Sequence, residues 1–353
     1  MRLLFAGVPY TRGLPEQLVR SLVWNGQFGV QIFFAVSGFL ITSTALRRWE
    51  SLSRVNIRDF YLLRFARIGP LLFLLLTVLS LLHFAGLKDF VVSAKTGGLG
   101  RALVAALTFH VNLLEARRGY LPANWDILWS LSVEEMFYLA FPLLCRLLRG
   151  GRWLIALLVV FVALGPFGRT VFTHGNEVWA EYSYLGGMDG IALGCLTAIF
   201  LSGWRWSRSG LTLLGVVGGG LLVFILGFSM LSARWGLDRL GLSMSILAFG
   251  TCLLIVVAAQ TQWRAPVVLR PALELGRRSY EVYLTHMFVV FAFFHVFLAA
   301  GKPLWSVPVL FAATILAAGL LGEVVGRWYS EPMNRRLRQR WGDEPNRLGS
   351  VLS

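Results

Sequence analysis

Three groups of polar residues in an otherwise apolar chain have types and spacings suited to chemistry. In RDFYLLRFARIGP, Arg64 and Arg67 stand one helical turn apart and share a face. Two guanidiniums so placed form a fork for phosphate oxygens, of the kind a coenzyme A thioester would present. The same pair would also serve as a topology anchor that snorkels to lipid phosphates. In NWDILWSLSVEEMFYLAFP, Ser130, Glu134 and Tyr138 fall at i, i+4 and i+8, nearly one face, while Glu135 points about 100° away. Such a face could orient a sugar hydroxyl or stabilise a catalytic imidazolium; Glu134 could equally pair with an arginine of another helix as structural glue. In LGRRSYEVYLTHMFVV, Ser279, Tyr283 and His286 line one face, with His286 about one and a half turns into the apolar run. Its imidazole is a candidate general base, against the commoner role of a hydrogen-bonded packing residue. His83, His110, His174 and His295 have weaker surroundings.

The elements that must hold these groups are membrane helices. Apolar residues make up 56% of the chain and charged residues only 14%, with a mean hydropathy of +0.67, whereas soluble domains carry about a quarter charged residues. A hydrocarbon layer about 30 Å thick needs roughly 20 apolar residues per helix. Runs of that length recur at about 28–46, 61–84, 127–148, 153–171, 184–202, 209–231, 241–260, 280–299 and 305–328. The expected fold is therefore all-α, a polytopic bundle of nine spans in a single domain over 1–353. The apolar stretch 101–114 is short and carries Arg101, His110 and Asn112, so it reads as an interfacial or re-entrant helix.

Loop charges support that count. Arg47, Arg48, Arg54 and Arg58 lie in one loop and Arg146, Arg149 and Arg152 in another, and both belong on the cytoplasmic side. An even number of crossings must separate them, and 61–84 and 127–148 suffice. Continuing the alternation puts Arg205, Arg208, the Arg264–Arg278 segment and the tail 329–353 inside, and residues 1–27 outside as a loop. The net charge of +15 then reflects positive-inside bias and contact with anionic membrane lipids, with no nucleic acid as partner. Cys145, Cys195 and Cys252 sit in apolar runs without ligand spacing, so core packing and no metal are expected. The glycines of 215–220 (GVVGGG) suit close helix packing. Trp179, Tyr182 and Tyr184 could stack on sugars or form part of an interfacial aromatic belt.

Taken in order, these segments resemble the acyltransferase-3 family of membrane O-acyltransferases over nearly the whole chain. The landmarks are GVQIFFAVSGFLIT at 29–42, Arg64 and Arg67 with Pro70, WSLSVEEMFY at 129–138, MDGIALG at 188–194, LGRRSYEVYLTH at 275–286 and YSEP at 329–332. The resemblance implies transfer of an acyl group, commonly acetyl, from acetyl-CoA or another acyl-CoA to a hydroxyl of a glycan or lipid-linked sugar. No resident cofactor is implied. Arg64 and Arg67 match the family's RxxR pair, for which a donor role is proposed; Glu134 and Tyr138 match its WSLxxExxFY helix, and His286 its YLxH position. Ser130, Tyr138 and Tyr283 join the arginines as substrate-binding candidates, and Glu134 or Asp189 as the group orienting a catalytic histidine. The family's first helix carries an arginine followed eleven residues later by the histidine usually assigned as catalytic, and this sequence has no histidine before His83. The expectation is a chain without that helix, in which His286 is the available base. A glycan transporter and an inactive truncated member are the competing readings.

Overall fold

The computed structural model describes residues 7–11, 26–261 and 266–341. The regular secondary structure of those residues is all helical, and nine helices among them are long and apolar enough to cross a membrane: Gly26–Trp49, Ile57–Phe84, Ala123–Leu147, Arg152–Arg169, Glu177–Gly203, Arg208–Gly227, Leu242–Gln260, Ser279–Ala299 and Leu304–Arg340. All nine fall where the apolar runs place them. The chain is a multi-pass membrane protein. Most of the expected outer loop, and the end of the tail beyond 341, lie outside the described residues.

Some boundaries differ from the sequence reading. The helix of the last span continues past 328, through a π-helical turn at Gly326–Ser330 into the arginine-rich Glu331–Arg340. The stretch 101–114 is two helices, Gly98–Leu107 and Val111–Arg118. Phe109 adopts the left-handed conformation between them, and Thr108 donates back to Val104 O (2.7 Å) while meeting His110 Nδ1 at 2.6 Å. A ten-residue helix is only about 15 Å long, half the hydrocarbon thickness, so neither piece can cross.

The chain forms two compact units. The first takes in Met1–Val55, Val104–Tyr120 and Leu128–Arg264, so far as these are described. Its framework is the packing of α1 (Gly26–Trp49) and α2 (Arg152–Arg169) on α3 (Tyr184–Gly203), with α4 (Arg208–Gly227) on α5 (Leu242–Gln260) beside them. Helices α1 and α3 touch backbone to backbone. A Cβ at Gly194 would lie 2.0 Å from Ala35 O and 2.6 Å from Phe39 N, and one at Gly38 would lie 2.0 Å from Ile191 O. The MDGIALG landmark is thus partly a packing device. Of the glycines at 215–220, Gly218 makes the close approach, to Gly250 O, whereas Gly219 and Gly220 face open space. We expect Gly194→Ala to lower stability by about 1–3 kcal/mol, because backbone rather than a flexible side chain must move. Gly219→Ala is the matched control for thermal unfolding in detergent; equal melting of the two would refute this packing account.

The second unit takes in Asn56–Leu103, Leu121–Ile127 and Ala265–Ser353, again so far as described. In it α6 (Ile57–Phe84) receives the C-terminal helix α7 (Glu331–Arg340), while α8 (Ser279–Ala299) pairs with α9 (Val307–Val325). The three cysteines are buried and free, in agreement with a packing role.

Candidate functional site

The six landmark segments divide three and three between the units, and within each unit they converge. In the first unit, Glu134 is buried on the helix α10 (Leu128–Leu147). Tyr138, one turn on, donates to its Oε1 at 2.8 Å, as the i, i+4 spacing requires. Ser37 of α1 completes a three-membered cluster, donating to Glu134 and touching Tyr138 OH. Ser130 is buried on the same helix, and Glu135 is buried too, because this helix is enclosed on most of its circumference. Sequence spacing did not single out Ser37, although it lies inside the 29–42 landmark.

Asp189 occupies a different cluster. It is fully buried on α3 and takes a bidentate ion pair from Arg169 at the end of α2, with N–O distances of 2.7 and 3.1 Å. Gln31 of α1 donates to Oδ1 at 2.9 Å and Ser245 of α5 to Oδ2 at 2.5 Å. Arg169 also donates to Gly241 O, Gly186 O and Ser245 Oγ, so all five of its N–H donors are engaged. Asp189 therefore ties four helices together, and Gly165 makes room for it, since a Cβ there would lie 2.5 Å from the carboxyl carbon. Arg169 was missed in the sequence; its signal is an arginine at the end of an apolar span facing an acidic residue in the next one. A cavity of about 680 Å³ opens against this cluster, lined by Gln27, Gln31, Phe34, Trp129, Arg169 and Glu181 among others.

The second unit holds the basic and histidine groups. Arg67 lies 3.4 Å from Glu281 Oε1, with its guanidinium 5.7 Å from the Tyr280 ring centroid. Glu281 is fully buried and neither oxygen accepts a hydrogen bond from the described residues, so Arg67 holds it by charge rather than by a directed bond. Arg67 remains about one-third exposed, and Arg64 is half-buried on the same helix. Tyr280 OH donates to Ile68 O (2.9 Å) and Tyr329 OH to Pro70 O (3.2 Å), which brings the RxxR, 275–286 and YSEP segments to one helix. Arg278 locks the last two together, reaching Glu331 at 2.5 Å and Glu323 at 3.0 Å.

On α8, Tyr283 and His286 adjoin, as their spacing requires. Tyr283 OH donates to Ile127 O at 2.9 Å, and His286 Nδ1 lies 2.7 Å from the carbonyl oxygen of Tyr283. A carbonyl can only accept, so in the neutral ring Nδ1 carries the hydrogen and Nε2 the lone pair. That is the tautomer a general base needs. Among the other histidines, Nδ1 of His83 accepts from Val92 N (2.9 Å), and His295 meets Asp89 at 2.6 Å. Trp179 packs edge-on against Tyr184, whose OH bonds Phe109 O, and Tyr182 stacks on Trp129 at 4.2 Å, so these aromatics are engaged in packing.

A family model described as an acyltransferase domain matches residues 3–323. The chain is 23% identical to an O-acetyltransferase, OatA, of Staphylococcus aureus strain NCTC 8325, over 92% of this chain and 55% of that protein. It is 25% identical to the peptidoglycan O-acetyltransferase OatA of Listeria monocytogenes, over 84% of this chain and 50% of that protein. A putative O-acetyltransferase of S. aureus strain COL matches at 25% identity over 86% of this chain. The chain thus spans about half the length of these curated relatives. No solved structure matches it.

Proposed function

Because this chain belongs to the acyltransferase family, we propose that it is a membrane-bound O-acyltransferase, moving an acyl group, most simply acetyl, from a coenzyme A thioester to a sugar hydroxyl. The family match over residues 3–323 carries the reading. The arrangement of His286 fits it. In this mechanism Nε2 of His286 takes the proton of the acceptor hydroxyl as its oxygen attacks the thioester carbonyl. The tetrahedral adduct collapses with loss of the coenzyme A sulfur, which receives the proton, so the products are an ester and free thiol. General-base assistance of this type contributes about 10²–10⁴-fold. Arg64 and Arg67 would receive the donor's phosphate oxygens, with Glu281 holding Arg67 in place. Tyr283 anchors the start of the histidine's turn.

In this reading the protein sits in the bacterial inner membrane with its arginine-rich loops and C-terminus in the cytoplasm, where acyl-CoA is available, and the acceptor is a glycan or lipid-linked sugar. Purified protein in nanodiscs, supplied with radiolabelled acetyl-CoA and a disaccharide acceptor, should form labelled ester. Arg64→Ala combined with Arg67→Ala should raise the donor KM at least tenfold, through loss of charge-assisted phosphate contacts. An unchanged donor KM would reject the arginine assignment.

A further inference from the structure

The cavity of the first unit has a chemistry that distinguishes between the two substrates of the proposed reaction. It is walled by the start of α1 (Gln27, Gln31), the end of α2 (Arg169), Trp129, the segment before α3 (Glu181) and the loop before α5 (Asp238, Ser243). These are all helix ends on one side of the unit. At the opposite ends of these helices α1 carries Arg47 and Arg48, α2 starts at Arg152, and the loop after α3 holds Arg205 and leads to Arg208, so this charge puts the cavity at the extracytoplasmic face. Its volume of about 680 Å³ lies within the roughly 300–1,000 Å³ typical of small-ligand sites.

The charges in its wall are unbalanced. Glu181 and Asp238 face it, and the one cation among its lining residues, Arg169, has every donor engaged by Asp189, Ser245, Gly186 and Gly241. No lining guanidinium is left to receive a phosphate or a carboxylate. Glu181 accepts from Gln27 Nε2 at 3.1 Å and Asp238 from Ser243 Oγ, which fixes both carboxylates while leaving lone pairs on each. Carboxylate, amide and hydroxyl groups together match a polyol, whose hydroxyls both donate and accept.

We infer that this cavity binds the acceptor of the acyl transfer, as an uncharged or cationic saccharide, and rejects anionic sugars and the polyanionic donor alike. The inference rests on the acyltransferase reading, and it adds to that reading a location and a charge preference for the acceptor.

The experiment uses the full chain in nanodiscs and two disaccharides of similar size, N,N′-diacetylchitobiose and one containing a hexuronic acid. Binding is followed by saturation-transfer NMR, and steady-state KM values are measured for each sugar and for acetyl-CoA. The neutral sugar should bind at least tenfold more tightly than the acidic one. Glu181→Gln together with Asp238→Asn, which preserve shape and hydrogen bonding, should narrow that gap severalfold and leave the KM for acetyl-CoA unchanged. No preference in the unaltered protein, a change confined to the acetyl-CoA KM, or occupancy by lipid acyl chains without sugar binding would each overturn the assignment. Charge-selective sugar binding without any acyl transfer would instead retain the cavity assignment and sink the enzymatic reading. Transfer to the neutral sugar that neither substitution alters would do the reverse.

Discussion

Asp189→Asn should unfold at markedly lower temperature or denaturant concentration than the parent protein, with a loss of roughly 3–5 kcal/mol. The substitution leaves the Arg169 guanidinium, only 10% exposed, facing an amide where it now meets a carboxylate at 2.7 Å. An unpaired charge in that position cannot recover its hydration. Removing both partners, as Arg169→Met with Asp189→Leu, should be less damaging than either single change, since no uncompensated charge remains. Unfolding in detergent with a helicity readout makes the comparison. A variant Asp189→Asn that melts like the parent but fails to transfer acyl groups would mean that this carboxylate acts on a substrate or a catalytic base, and the structural assignment would fall.

The second large effect is catalytic. His286→Gln should reduce acyl transfer by about 10²–10⁴-fold with little change in the donor KM, because it removes the Nε2 lone pair and leaves the arginines in place. The comparison is His83→Gln. His83 accepts from the Val92 amide and stabilises a loop, so its replacement should leave turnover within a few-fold of the parent. Full activity of His286→Gln would exclude His286 as the base and redirect the search to another group.

Much of the local arrangement was readable because helix geometry is periodic. Glu134 and Tyr138 at i, i+4 do share a hydrogen bond, and Tyr283 and His286 do adjoin, since residues three and four apart lie on one face whatever surrounds them. The partners of Asp189 were less accessible. From the sequence it was a lone acid in a glycine-rich landmark and a candidate to orient a histidine. Its partners Gln31, Arg169 and Ser245 come from three other helices, at separations of 158, 20 and 56 residues. Ser37 and Glu281 carry no signal in the sequence for the same reason, as neither has a local partner that spacing could reveal.

Hydropathy alone determined that this is an all-helical, many-span membrane protein, because a hydrocarbon layer admits a helix only when about 20 apolar residues run together and every backbone group is satisfied within it. Order and spacing of the landmarks determined its family. Tertiary structure decided which polar residues meet. It placed Arg169 on Asp189 and Arg67 on Glu281, let Gly38 and Gly194 bring two backbones into contact, and gathered six scattered segments into two sets of three. Charge pairing and close packing between helices depend on distances in space, and residues far apart in the chain carry no record of those distances in their local pattern.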